Sequence, residues 1–218
     1  MLTMPTVLLN NLWYLGLGAL NTIGISAASI VLSALLGILI ALGQLFGGLI
    51  LRWVIEVYLY IVRGVPLLVL LFTMYYVLPY SGLELGALEG GILVISLYFA
   101  AFMSEVFRAA ILSLPKAQWD GARSLGMRRW TMLRVVIFPQ AFRIAAPPFV
   151  NTCMMLIKST SLISIIGLWE LTAAGREVTE RTFAPFQMFG GVALFYFCIC
   201  YSLSLVARHL EERLKYAH

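Results

Sequence analysis

The chain has 218 residues, of which 61% are hydrophobic and 11% charged, with a formal net charge of +5. Soluble domains carry about 25% charged residues, so too few polar side chains remain to cover a water-facing surface, and several apolar runs pass the ~18-residue length that separates membrane spans from core helices. Composition thus excludes a soluble enzyme and turns the excess of Lys and Arg from a nucleic-acid signal into a membrane-topology signal.

Five apolar stretches are predicted as spans in one transmembrane domain, 1–218: residues 20–45, 53–77, 90–112, 147–168 and 186–207. Each reaches the roughly 20 residues that cross a hydrocarbon core of about 30 Å. Before the first, Met1 to Asn11 has no basic n-region and no small-residue cleavage site, so no signal peptide is expected. Leu12 to Leu20, with Trp13 and Tyr14, reads as a segment at the membrane interface. Cys153, Cys198 and Cys200 lie inside apolar runs and read as small hydrophobes.

Lys116, Arg123, Arg128, Arg129, Arg134 and Arg143 cluster between spans three and four, Arg208, Arg213 and Lys215 follow span five, and Arg52 follows span one. An odd number of spans puts these regions on one side. The other side carries Arg176 and Arg181 beside Glu84, Glu89, Glu170, Glu177 and Glu180. The positive-inside rule places the N-terminus outside and the C-terminus in the cytoplasm.

Span two holds Arg63 and span four holds Lys158, each roughly ten residues deep, where a charge costs about 2.5–3.5 kcal/mol. Gly64 and Pro66 break the helix just after Arg63. Ser159, Thr160, Ser161 and Ser164 surround Lys158. Such residues either pair internally, as Arg63 could with Glu105, or line a wet pathway. Glu105 and Arg108, three apart, can satisfy each other. Two deep cations suit a ligand carrying a carboxylate, so neutral polar or acidic amino acids fit better than basic ones. The pathway set is Arg63, Glu105, Lys158, Thr160 and Ser161.

The segment 113–146 is amphipathic. Pro115 suits a first helical turn, Gly126 suits a C-cap with positive φ, and a second short helix from Arg128 to Ile137 is expected to end near Pro139. On the residues alone this is equally an interfacial helix anchored by arginines.

Asp120, Gly121, Ala122, Gly126, Val136, Phe138 and Pro139 fall at the spacing of the E-A-A, three residues, G, nine residues, I-x-L-P motif, and so resemble the cytoplasmic coupling loop of ABC importer permeases. Asp stands for Glu, Gly for the first Ala, Val for Ile and Phe for Leu. Tyr60 to Phe72 (Y-I-V-R-G-V-P-L-L-V-L-L-F) resembles the Y-x-x-R-G-T-P-L-L-V-x-x-F signature of polar amino acid permeases, of the histidine, glutamine, glutamate and arginine type. Ser104, Glu105 and Arg108 resemble that family's A-E-x-x-R, and Lys158 to Leu171 its K-x-T-S-L…G…E-L. The resemblance implies an all-α type I importer permease fold with five spans. It implies ATPase coupling through Asp120, Gly121, Ala122, Arg123, Gly126 and Arg128. It also implies an ATP-binding cassette subunit, a second permease (identical or paralogous), an extracytoplasmic solute-binding protein, an amino acid substrate and a bacterial inner membrane. The chain has no Gly-x4-Gly-Lys-Ser/Thr loop, so ATP and Mg are expected on the partner ATPase and no cofactor on this chain. An ion-coupled secondary transporter or channel is the alternative; a membrane-embedded enzyme would need a catalytic constellation that the sequence does not offer.

Overall fold

The computed structural model describes residues 4–215; Met1, His218 and the side chains of Arg213 and Lys215 lie outside the described residues. The first helix, α1 (Met4–Phe46), runs 43 residues without interruption. No proline occurs between Thr6 and Phe46 to stop it. At 1.5 Å per residue it is about 64 Å long, twice the bilayer core. The first span therefore starts well before residue 20, and Leu12 to Leu20 is not a separate interfacial piece. Leu15 and Ala19 are buried against Leu171, Ala174 and Val192. Asn11, just before this stretch, donates its side-chain amide to the Val7 carbonyl (2.8 Å).

α1 is apolar all round, so its packing face is marked by size instead of polarity. Thr22, Ser26, Ser29 and Ser33 form one buried stripe. Its Ser29–Ser33 part lies against α4 (Ala87–Leu112), which runs parallel to α1: Ser33 donates to the Ser96 carbonyl at 3.2 Å. Further along, a Cβ on Gly37 would sit 2.9 Å from the Met103 Cβ. Close helix approach through small residues replaces the hydrophobic drive that lipid cannot supply.

The second predicted span is broken as Gly64 and Pro66 foretell. α2 (Leu49–Gly64) ends in extended Val65 (φ −105°, ψ 130°), because the residue before a proline avoids the helical region. α3 (Leu67–Phe72) departs at 103° to α2. Its Leu67 and Leu71 enter the central core with Ile95, Phe99, Met103, Leu156 and Ile163. A π-turn follows at Thr73–Val77, and a second occurs at Leu133–Ile137. Each is followed, two residues after its end, by a proline, Pro79 or Pro139. Lacking an N–H, that proline cannot close the i−4 bond, and the helix widens by one residue.

The segment between the third and fourth spans folds as α5 (Lys116–Ser124) and α6 (Arg129–Met132), with Pro115 at the N-cap of α5. Contrary to expectation, the helix does not end at Pro139. It passes through the π-turn into α7 (Phe138–Ser159), so the fourth spanning rod begins at Arg129 and not near residue 147. Pro139 occupies the first turn of α7, where its missing donor is tolerated. At Thr160 the rod tightens to 3-10 geometry, which ends at Gly167 (φ +88°). Residues 169–185, read as a loop, contain a further helix, α8 (Leu171–Thr182), and α9 (Pro185–Lys215) closes the fold. Four helices are long and apolar enough to cross a membrane, and the bent α2–α3 pair makes the fifth crossing if counted as one.

Candidate functional site

The bend after α2 and the lower half of α4 bring Arg63, Glu105 and Arg108 together. The Arg63 guanidinium lies 3.5 Å from a Glu105 oxygen, donates to the Ala101 carbonyl, and sits 5.7 Å over the Phe102 ring. Arg108 donates to the other Glu105 oxygen, pairing the two as their spacing predicts. One carboxylate is thus shared by two guanidiniums, leaving the cluster positive. It borders a cleft of about 540 Å³, lined also by Val106, Ala109, Ile144, Pro148 and Thr152. Pro147 and Pro148 both lack an N–H, so the Ile144 carbonyl loses its i+3 and i+4 donors together. The cleft therefore holds one cation and one acid among largely apolar walls, with Ile144, whose carbonyl has lost its usual donors, on its lining.

Lys158, Thr160 and Ser161 do not line this cleft. Lys158 is exposed on α7, and among the described residues it has no acidic partner. Thr160 is fully buried and donates to the Ile157 carbonyl, while Ser161 donates to the Lys158 carbonyl, both at 2.8 Å. Ser159 and Ser164 do the same to Met155 and Ser161. The hydroxyls that suggested a wet lining hold the carbonyls of a helix that is changing pitch.

At the basic end, Ala122 is buried with Ala110, Ile111, Leu114, Leu133 and Ile137. That contact turns Asp120, Gly121, Arg123 and Arg128 outward. Gly126 (φ +69°) ends α5 as its sequence predicts: its N–H meets the Arg123 carbonyl at 2.9 Å and the Met127 N–H meets the Ala122 carbonyl at 3.2 Å. Asp120 is in mid-helix and pairs with Arg123 at 3.5 Å, so it caps no helix. Leu125 and Trp130 are 76% and 65% exposed beside these arginines. Arg129 stacks on Phe46 at the end of α1, 4.9 Å from the ring centre.

Sequence reasoning placed Glu170 in the outer loop and in the family's E-L pair but gave it no structural role. It is fully buried and is the N-cap of α8, accepting from the Ala173 N–H (2.9 Å), from Thr22 (3.3 Å) and from Tyr196 (2.9 Å). The available signal was an acid placed directly before the helix-forming run Leu171 to Ala174.

The family described as "Binding-protein-dependent transport system inner membrane component" matches residues 33–216. The chain is 38% identical to the probable amino-acid ABC transporter permease protein YckA of Bacillus subtilis, over 90% of its own length and 86% of the relative's. It is 38% identical to the L-cystine transport system permease protein TcyB of the same organism, covering 90% of this chain and 85% of the relative. It is 34% identical to the glutamine transport system permease protein GlnP of Escherichia coli, covering 91% of each. A solved structure titled as an amino acid ABC transporter with histidines superposes with a TM-score of 0.89 at 27% identity, over 94% of this chain and 96% of that one. Fold, spans and comparisons agree, and the chain belongs to the binding-protein-dependent inner membrane components, as a multi-pass amino-acid ABC transporter permease that is a transport subunit and not an enzyme.

Proposed function

We propose that this chain forms part of the translocation pathway of an ATP-driven importer for polar amino acids and receives its drive through the knuckle between α5 and α6. The observation that carries this reading is the knuckle's outer surface. Asp120, Gly121, Arg123 and Arg128 surround exposed Leu125 and Trp130, while Ala122 locks the knuckle to the rod behind it. Large apolar side chains flanked by charge, at the aqueous end of a rigid helix pair, are what a partner protein buries. The partner is an ATP-binding cassette subunit carrying ATP and Mg, and an extracytoplasmic binding protein delivers the substrate. A second permease, identical or paralogous, completes the pathway. In this orientation the N-terminus is outside and the knuckle cytoplasmic.

The electrostatics favour substrates that carry carboxylate without excess positive charge. Arg63 and Arg108 share one acid, and Lys158 has none among the described residues. The names of two relatives, for L-cystine and for glutamine, fit that preference. The test is purification of the tagged chain from its native membrane, followed by reconstitution with its co-purifying partners. ATP-dependent uptake of L-glutamine, L-glutamate or L-cystine above L-arginine, lost when Leu125 and Trp130 are both changed to Asp, is the expected result. Uptake that needs an ion gradient and no ATPase would replace this reading with a secondary transporter or channel.

A further inference from the structure

Along α7, Ile144, Pro148, Asn151, Met155 and Lys158 recur at helical spacing on one side, and exposure follows that side through the span: Ile144 is 45% and Met155 56% exposed, with Pro148, Asn151 and Lys158 exposed as well. The opposite side is filled by Val150, Cys153, Leu156 and Ile157. An amide and an ammonium on the open side of a spanning helix are costly against lipid. Asn151 makes no hydrogen bond to any described residue, unlike Thr152 beside it, which bonds the Pro148 carbonyl at 2.9 Å. The lower end of the same face, Ile144 and Pro148, already lines the Arg63–Glu105 cleft. No Asp or Glu occurs from residue 121 to 169 to neutralise Lys158 along the chain.

We propose that this face of α7 is the wet wall joining Lys158 to the Arg63–Glu105 cleft, and that Asn151 is a substrate-contacting residue on it. By helix rise, Asn151 stands about 10 Å from both Lys158 and the Ile144 carbonyl. An α-amino acid leaving the lysine therefore meets a neutral group able to donate to its carboxylate and accept from its ammonium before it reaches the bare carbonyl and the charged cluster. A neutral station suits transit, because it holds the ligand without trapping it as a full countercharge would.

The proposal rests on the amino acid import reading, and its test separates the two. Cys153, Cys198 and Cys200 are first replaced in the intact reconstituted complex, and uptake of L-glutamine, L-glutamate or L-cystine is confirmed; failure at that stage counts against import itself. Asn151→Cys is then exposed to a charged, membrane-impermeant thiosulfonate. Rapid labelling that the transported amino acid slows, together with about tenfold lower uptake in Asn151→Ala and recovery in Asn151→Gln, is the expected result, tenfold being the loss of one hydrogen bond to a charged ligand. No labelling means that the face is dry against lipid or a second permease and overturns the proposal. Labelling indifferent to the amino acid overturns it equally.

Discussion

Gly126 adopts φ +69°, and no heavy atom lies within 4 Å of the place a Cβ would take. The demand for glycine there is conformational and not steric. Left-handed backbone costs an L-residue roughly 1–2 kcal/mol, less for Asn. Gly126→Val is expected to cut ATP-driven uptake while leaving membrane insertion intact, and Gly126→Asn to keep most of it. Equal uptake in both, measured in vesicles, would remove the turn from the coupling path. Glu105 holds a different kind of constraint, because it answers two cations at once. Changing Glu105 to Gln leaves Arg63 and Arg108 facing each other without an acid, so the melting temperature in detergent should fall. Adding Arg63→Gln should recover part of the loss, with a coupling of about 0.5–3 kcal/mol. Gly126 and the Glu105–Arg108 pair were legible in the sequence because both obey local spacing rules. Glu170 was not: its partners Thr22 and Tyr196 come from α1 and α9 and meet it only in the folded chain.

At the scale of elements, the small residues on α1 decide where helices touch. A Cβ on Gly37 would meet the Met103 Cβ at 2.9 Å and the Ser104 nitrogen at 3.1 Å, whereas one on Gly24 meets nothing within 4 Å. Overpacking of a close contact costs about 1–3 kcal/mol. Gly37→Ala should therefore lower the melting temperature clearly and Gly24→Ala should not; a matching drop in both would show that α1 and α4 are not in this contact in the membrane. The break between α2 and α3 was readable because Gly64 and Pro66 act on the backbone directly. The passage of the helix through Pro139 was not, since the same residue reads as a terminator until the π-turn before it is seen. α8 escaped notice because Thr172, Arg176, Glu177, Thr179, Glu180 and Arg181 look like a solvated loop. Its apolar side, Leu171, Ala174 and Val178, is short, and it finds its place against α1 and α9.

For the whole molecule, the proposed orientation rests on charge asymmetry. Lys116 and Glu180 are both exposed and lie at opposite ends of the fold. In a cysteine-free background, Lys116→Cys should be labelled only from the cytoplasmic side and Glu180→Cys only from outside. The reverse pattern would invert the proposed topology. Five apolar runs were countable from hydropathy alone, but the unequal lengths of the helices they belong to were not, because hydropathy does not report where a helix leaves lipid and continues against protein.

That inequality gives α1 mechanical meaning. Arg129 of the knuckle stacks on Phe46 at one end of α1, and near the other end Val7 is buried with Val178 of α8. A rigid arm about 64 Å long, turned by about 5° at one end, carries the other through roughly 5–6 Å. A tilt too small to disturb the packing at Phe46 becomes, at α8, a displacement as large as a side chain. The longest helix of the chain is thus a lever that turns a small tilt at the Phe46 end into travel at the α8 end.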